Sequence, residues 1–149
     1  MPYIEVNQVN HYYEWVGTDT PRDPASSKPV MVFIHGWAGS ARYWRSTAEA
    51  MSDRYDCLLY DMRGFGRSTI APDQQAAMEA RGYELDTYAD DLAELLKALN
   101  LPKVSINAHS MGASVAVYFL NQYPHLVNRA ILTCNGIFEY DKAAFEAFY

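Results

Sequence analysis

The chain has 149 residues, half of them hydrophobic and a fifth charged, with a formal net charge of −6. That length supports one domain with a genuine core, since about 70% of the unfolded surface is buried at this size, and the composition excludes disordered, collagen-like and coiled-coil architectures. An acidic balance without any Lys/Arg cluster excludes nucleic acid or an anionic membrane surface as the main partner and leaves small molecules.

In chain order, "YIEV" and "HYYEWV" alternate in polarity around the turn-like "NQVN", which predicts an opening antiparallel hairpin on the polar side of a sheet. A loop rich in Pro, Ser and Asp, "GTDTPRDPASSKP", precedes "VMVFIHG", a continuous apolar run of the kind a strand buried on both faces requires. From Ser40, read as an N-cap, Trp44, Thr47, Ala48 and Met51 recur at helical spacing and form one apolar face. "YDCLLYDMRG" is the next buried strand and "GFGRS" a glycine-rich turn.

After the polar stretch "TIAPDQQAAMEARGYE" comes a second helix. Leu85, Tyr88, Leu92, Leu95, Leu96 and Leu99 line one side of it, Asp90, Asp91, Glu94 and Lys97 the other, and Asn100 and Pro102 stop it. "KVSINAHS" is a strand, "MGASVAVYFLNQY" a helix ended by Pro124, and "VNRAILTCN" a sixth strand. Strands alternating with helices imply right-handed crossovers and an α/β fold with a mostly parallel sheet covered on both faces. One domain is expected over 1–149, with core elements over 1–135.

Cys57 and Cys134 lie in apolar runs, where free cysteines act as small buried hydrophobes. "MPYIEVNQVN" has neither a basic n-region nor an apolar h-region, and no stretch approaches the roughly 18 apolar residues of a membrane helix. A cytoplasmic chain without stable membrane association is expected.

In open parallel sheets, ligands gather beyond the carboxyl ends of the strands. Three such ends carry chemistry-bearing residues: His35-Gly36-Trp37, Asp61-Met62-Arg63-Gly64 and His109-Ser110-Met111-Gly112. The last fits a nucleophile elbow, a sharp strand-to-helix turn that holds a serine with its Oγ clear of the sheet, and the small residues Ala108 and Gly112 let strand and helix pass closely. A serine hydroxyl is a weak nucleophile without a base, and the oxyanion it creates needs backbone donors. Met111 N–H, at the start of a helix where donors are unsatisfied, and Trp37 N–H, just past the first buried strand, are the nominated pair.

With "HGWAGSARYW", "DMRGFGRS" and "AHSMGAS" in this order and spacing, the chain resembles the α/β-hydrolase fold family. The resemblance covers the whole chain but only the first half or so of a family member, so the expected fold is an α/β-hydrolase sheet truncated after about the sixth strand. Residues 136–149 resemble the start of the cap or lid. It departs from the family at Ala108, where glycine is usual and which some bacterial lipases share, and in its length after the elbow. The family's acid and histidine follow the nucleophile in chain order, and only 39 residues follow Ser110.

None of the four histidines is a convincing base. His125 lies in a turn at the far end of the sheet, His109 adjoins the serine and points away from it, His35 hydrogen-bonds within the oxyanion loop, and His11 belongs to the hairpin. Glu139 and Asp141 are weak choices for the acid. Asp61 and Arg63 resemble an internal ion pair and turn brace. Trp44 and Phe65 are either acyl-pocket walls or core.

The resemblance implies a serine hydrolase acting on an ester, thioester or amide carbonyl, with Ser110 as nucleophile and no cofactor or metal. An Asp–His pair beyond residue 149 would complete it, which leaves this chain nearly inert alone. A serine at the elbow argues against epoxide hydrolases and dehalogenases, which resemble this fold but use aspartate there. Two other readings stay open at this stage: a noncatalytic small-molecule-binding or regulatory protein of the same fold, and a truncated product whose exposed sheet edge drives self-association.

Overall fold

The computed structural model describes residues 2–70, 76 and 83–135. Its strands are β1 (Tyr3–Val6), β2 (Val9–Val16), β3 (Val30–Ile34), β4 (Asp56–Tyr60), β5 (Thr69–Ile70), β6 (Val104–His109) and β7 (Val127–Thr133). The α-helices are α1 (Arg45–Met51), α2 (Leu85–Ala98) and α3 (Met111–Gln122), and short 3-10 turns cover Ala41–Trp44 and Pro124–Leu126.

The strands form one sheet in the order β1-β2-β4-β3-β6-β7, with β5 paired to β2. The run β4-β3-β6-β7 is parallel, and β2 joins β4 antiparallel. The hairpin turn is Asn7-Gln8, both at positive φ, the backbone a two-residue type I′ connection demands. Strand β2 therefore begins at Val9, two residues before the alternation in "HYYEWV" starts. The two-residue β5, which pairs Ile70 with Val9, is too short to leave a periodic signal. It makes the strand expected as the sixth the seventh.

Successive residues of β3 feed opposite faces of the sheet, as a strand's period of two requires. Val30, Val32 and Ile34 pack with α2 and α3, whereas Met31 and Phe33 pack with Trp44 and Ala48 on the other face. The fold class is thus the expected mostly parallel α/β sheet with helices on both faces. Helix α2 ends in a Schellman motif: Asn100 sits at φ +55, Leu101 N–H donates to the Leu96 carbonyl and Asn100 N–H to that of Lys97, so the asparagine acts as predicted.

Several expectations are corrected. Ser40 is extended and makes no side-chain cap bond, because the chain first turns through the 3-10 segment and α1 begins only at Arg45. Asp91 does not belong to the solvent face of α2; it is 2% exposed and bound by Arg63. Cys57 is buried as expected, but Cys134 is exposed, since the carboxyl end of β7 has no covering layer among the described residues. Glu139, Asp141 and the expected cap segment 136–149 lie outside the described residues.

Candidate active site

Strand β6 delivers Ser110 to the carboxyl edge of the sheet, beside the end of β3, with Ile34 paired to Ala108. Ser110 has φ +55 and ψ −125, a conformation that strains any residue with a Cβ and is tolerated where the surroundings enforce it. The enforcement is visible. Ser110 N–H donates to the Thr133 carbonyl at the end of β7, and the Ser110 carbonyl accepts the N–H groups of Ala113 and Ser114 in the first turn of α3.

Gly112 allows the turn to close. A Cβ there would collide with the His35 carbonyl oxygen and stand 2.6 Å from that of Ile34, backbone atoms that cannot move aside. Gly36 is equally tight, because a Cβ on it would lie 3.0 Å from Ser110 Cβ. Gly36 and Ser110 are therefore in direct contact. Trp37 follows Gly36, and Met111 opens α3 directly after Ser110, so both nominated donors belong to segments flanking the serine. Among the described residues no hydrogen bond involves Ser110 Oγ.

The histidines divide as the sequence predicts. His109 turns aside and stacks on Tyr43, with ring centroids 5.1 Å apart. His125 sits in the 3-10 turn before β7, at the opposite end of the sheet. His35 is fully buried; its Nδ1 donates to the Gly36 carbonyl at 2.8 Å and its Nε2 accepts Met62 N–H at 3.0 Å. It ties the Gly36 loop to the turn after β4, and burial lowers its pKa. His11 is buried against the Asp61 carbonyl, and burial lowers its pKa too.

Asp61 and Arg63 brace the turn, but with different partners. Asp61 accepts Ala41 N–H at 2.6 Å and Arg67 N–H at 2.7 Å and pairs with the Arg67 guanidinium. Arg63 pairs instead with Asp91 on α2 through two bonds of 2.7 Å. Of the two aromatics left open between pocket and core, Trp44 is core, packed on Phe33. Phe65 packs against the core and, with Trp37, Tyr83, Leu85, Tyr88 and Met111, also lines a cavity of about 430 Å³ over Gly64. Among the described residues no charged side chain borders it, and burial pushes the Tyr88 hydroxyl up to about 12. Leu85 and Tyr88 carried the helical periodicity of core residues, and nothing in the sequence marked Tyr83.

Residues 29–148 match the sequence profile of the family described as alpha/beta hydrolase fold. The chain belongs to that family. It is 30% identical over 133 residues to "Epoxide hydrolase 1" of Caenorhabditis elegans, covering 89% of this chain and 30% of that one. It is 37% identical over 103 residues to "Non-heme chloroperoxidase CPO-A1" of Kitasatospora aureofaciens, covering 68% of this chain and 34% of that one.

Among solved structures, a marine microorganism esterase superposes with a TM-score of 0.74 at 26% identity, covering 93% of this chain and 48% of the other. The alpha/beta hydrolase MGS-M2 from a deep-sea metagenome library gives 0.72 at 26%, covering 87% and 42%. The chain thus spans about a third of the curated relatives and under half of either structure. Within this alpha/beta hydrolase fold, no described helix is long and apolar enough to cross a membrane.

Proposed function

We propose that Ser110 is the nucleophile of a serine hydrolase that cleaves ester, thioester or amide substrates. The observation that carries this reading is the backbone at Ser110, held at positive φ on the carboxyl edge of the sheet and in contact with Gly36. Strain of that kind, about 1–3 kcal/mol, persists where the surrounding structure enforces it and clusters at active sites. The resemblance to an esterase supports the same chemistry, and a hydroxyl at the elbow favours an acyl substrate over an epoxide.

In the proposed reaction, Ser110 Oγ bonds to the substrate carbonyl carbon while its proton passes to a histidine. The carbonyl oxygen becomes an oxyanion held by the N–H groups of Trp37 and Met111. The C–O, C–S or C–N bond then breaks, the leaving group takes the proton, and water releases the acyl group from serine. The histidine and its acid partner are assigned beyond residue 149, so the isolated 149-residue chain is expected to be nearly inert. No cofactor or metal is called for.

A cytoplasmic location belongs to the same proposal and rests on two cysteines that are both free. Self-association at the β7 edge is a further part of it. The strand ends the sheet order and leaves Ile131 half exposed, and an uncovered edge templates pairing with another chain. Light scattering of the isolated chain would read this, and a monomer at every concentration would remove it.

The deciding experiment is the intact mass of the natively expressed protein before and after a fluorophosphonate probe. A mass above 16.9 kDa with one adduct on Ser110 is expected. A mass of 16.9 kDa without an adduct would withdraw the catalytic reading.

A further inference from the structure

The cavity beside Ser110 has a chemical character that narrows the ligand. Four of its walls are aromatic: Trp37, Phe65, Tyr83 and Tyr88. Ring contacts link three of them, Trp37, Phe65 and Tyr88. Phe65 meets Trp37 edge to face at 5.4 Å and His35 edge to face at 5.6 Å, and lies 6.4 Å from Tyr88. Behind them, the buried Arg63–Asp91 pair joins the turn bearing Gly64 and Phe65 to the helix bearing Leu85 and Tyr88.

The outer wall depends on one close approach. Tyr83, half exposed, lies against Gly64, where a Cβ would come within 2.9 Å of its Cε1. A side chain at position 64 would push the ring away; glycine, here at φ +75, lets it close the cavity. The volume of about 430 Å³ is at the small end for ligand sites, roughly 300–1,000 Å³.

We infer that this cavity holds a neutral aryl group of the substrate and that Tyr83 is the residue that selects it. The inference rests on the hydrolase reading for its placement next to the reacting carbonyl. Rigid rings offer faces and edges to a flat ring, which gains contact with little loss of conformational freedom, whereas a flexible chain loses several rotors on entry. A carboxylate would enter a lining that offers it no cation among the described residues, at a desolvation cost that this apolar surface does not recover.

The test is equilibrium binding of 2-naphthamide, 2-naphthoate and decanamide to the intact protein, read by quenching of Trp37. That residue is 73% exposed, whereas Trp15 and Trp44 are at 7%. We expect 2-naphthamide to bind about tenfold more tightly than 2-naphthoate and about fivefold more tightly than decanamide. Tyr83→Ala should weaken 2-naphthamide about fivefold, and Tyr83→Phe, which keeps the ring, should restore it. Equal affinity for the three ligands, no saturable quenching, or indifference to Tyr83→Ala would each overturn the assignment. Because no bond to Ser110 forms here, a failed fluorophosphonate reaction would sink the hydrolase reading while leaving this result standing, and the converse holds as well.

Discussion

Arg63 and Asp91 meet across 28 residues of chain through two N···O contacts of 2.7 Å, with both side chains at least 98% buried. Asn7 adds a third bond to the same carboxylate at 2.9 Å, and His11 Nε2 stands 3.8 Å from it. The β1–β2 turn, the turn after β4 and helix α2 therefore share one anchor. Breaking a buried pair from one side leaves an uncompensated charge, which costs about 3–5 kcal/mol.

Asp91→Ala should lower unfolding stability by about that amount in urea titration, while Glu94→Ala, which removes an exposed partner of Lys97, should change it by less than about 0.5 kcal/mol. Replacing both members, Arg63→Met with Asp91→Leu, should cost less than Asp91→Ala alone. A double variant as unstable as the sum of the singles would show that the pair does not act as a unit.

The backbone at Ser110 yields a prediction that separates conformation from chemistry. Ser110→Gly removes the Cβ that makes φ +55 costly, and after the added freedom of the unfolded chain it should stabilise the fold by about 1 kcal/mol. Ser110→Ala keeps the Cβ and should leave stability within about 0.5 kcal/mol of the parent. Both should lose the fluorophosphonate adduct. If the two variants were equally stable, the strain assigned to this position would not exist.

Much of this arrangement was legible because its physical cause is local. β3, β4 and β6 are buried on both faces, so "VMVFI", "DCLLY" and "VSINAH" read as strands without tertiary knowledge. Gly112 announced the elbow because only a residue without a Cβ clears the backbone of β3. Asp91 was not legible: on a helical wheel it falls among Asp90, Glu94 and Lys97, and its reason for burial is an arginine 28 residues earlier. The aromatic cavity was hidden in the same way, since Leu85 and Tyr88 show core periodicity whether they meet a strand or a void, and Tyr83 lies just before the helix.

The two cysteines give a quick check of the β7 terminus. Burial pushes the Cys57 thiol up to about 11, which removes the reactive thiolate at neutral pH, whereas Cys134 is exposed. Thiolate is the attacking species, so the native protein should titrate one thiol with Ellman's reagent within minutes and two after denaturation. Two fast thiols in the native state would mean that β4 is less protected than its burial indicates.

Acid stability follows from His35 and His11. Burial lowers both pKa values below the ordinary 6.5, so the unfolded chain binds more protons than the folded one just below that pH. Stability is then fully present above about pH 6.5 and falls as pH drops toward the folded-state values. At His35 the cause is also geometric: Nε2 accepts Met62 N–H, and protonating that nitrogen would turn the acceptor into a donor facing a donor. Unfolding free energy measured between pH 5 and 8 should therefore decline on the acid side of this window. His35→Gln should reduce the slope, since a glutamine oxygen can accept Met62 N–H without titrating. An unchanged slope in that variant would assign the acid sensitivity to His11, and His11→Gln would then have to remove it.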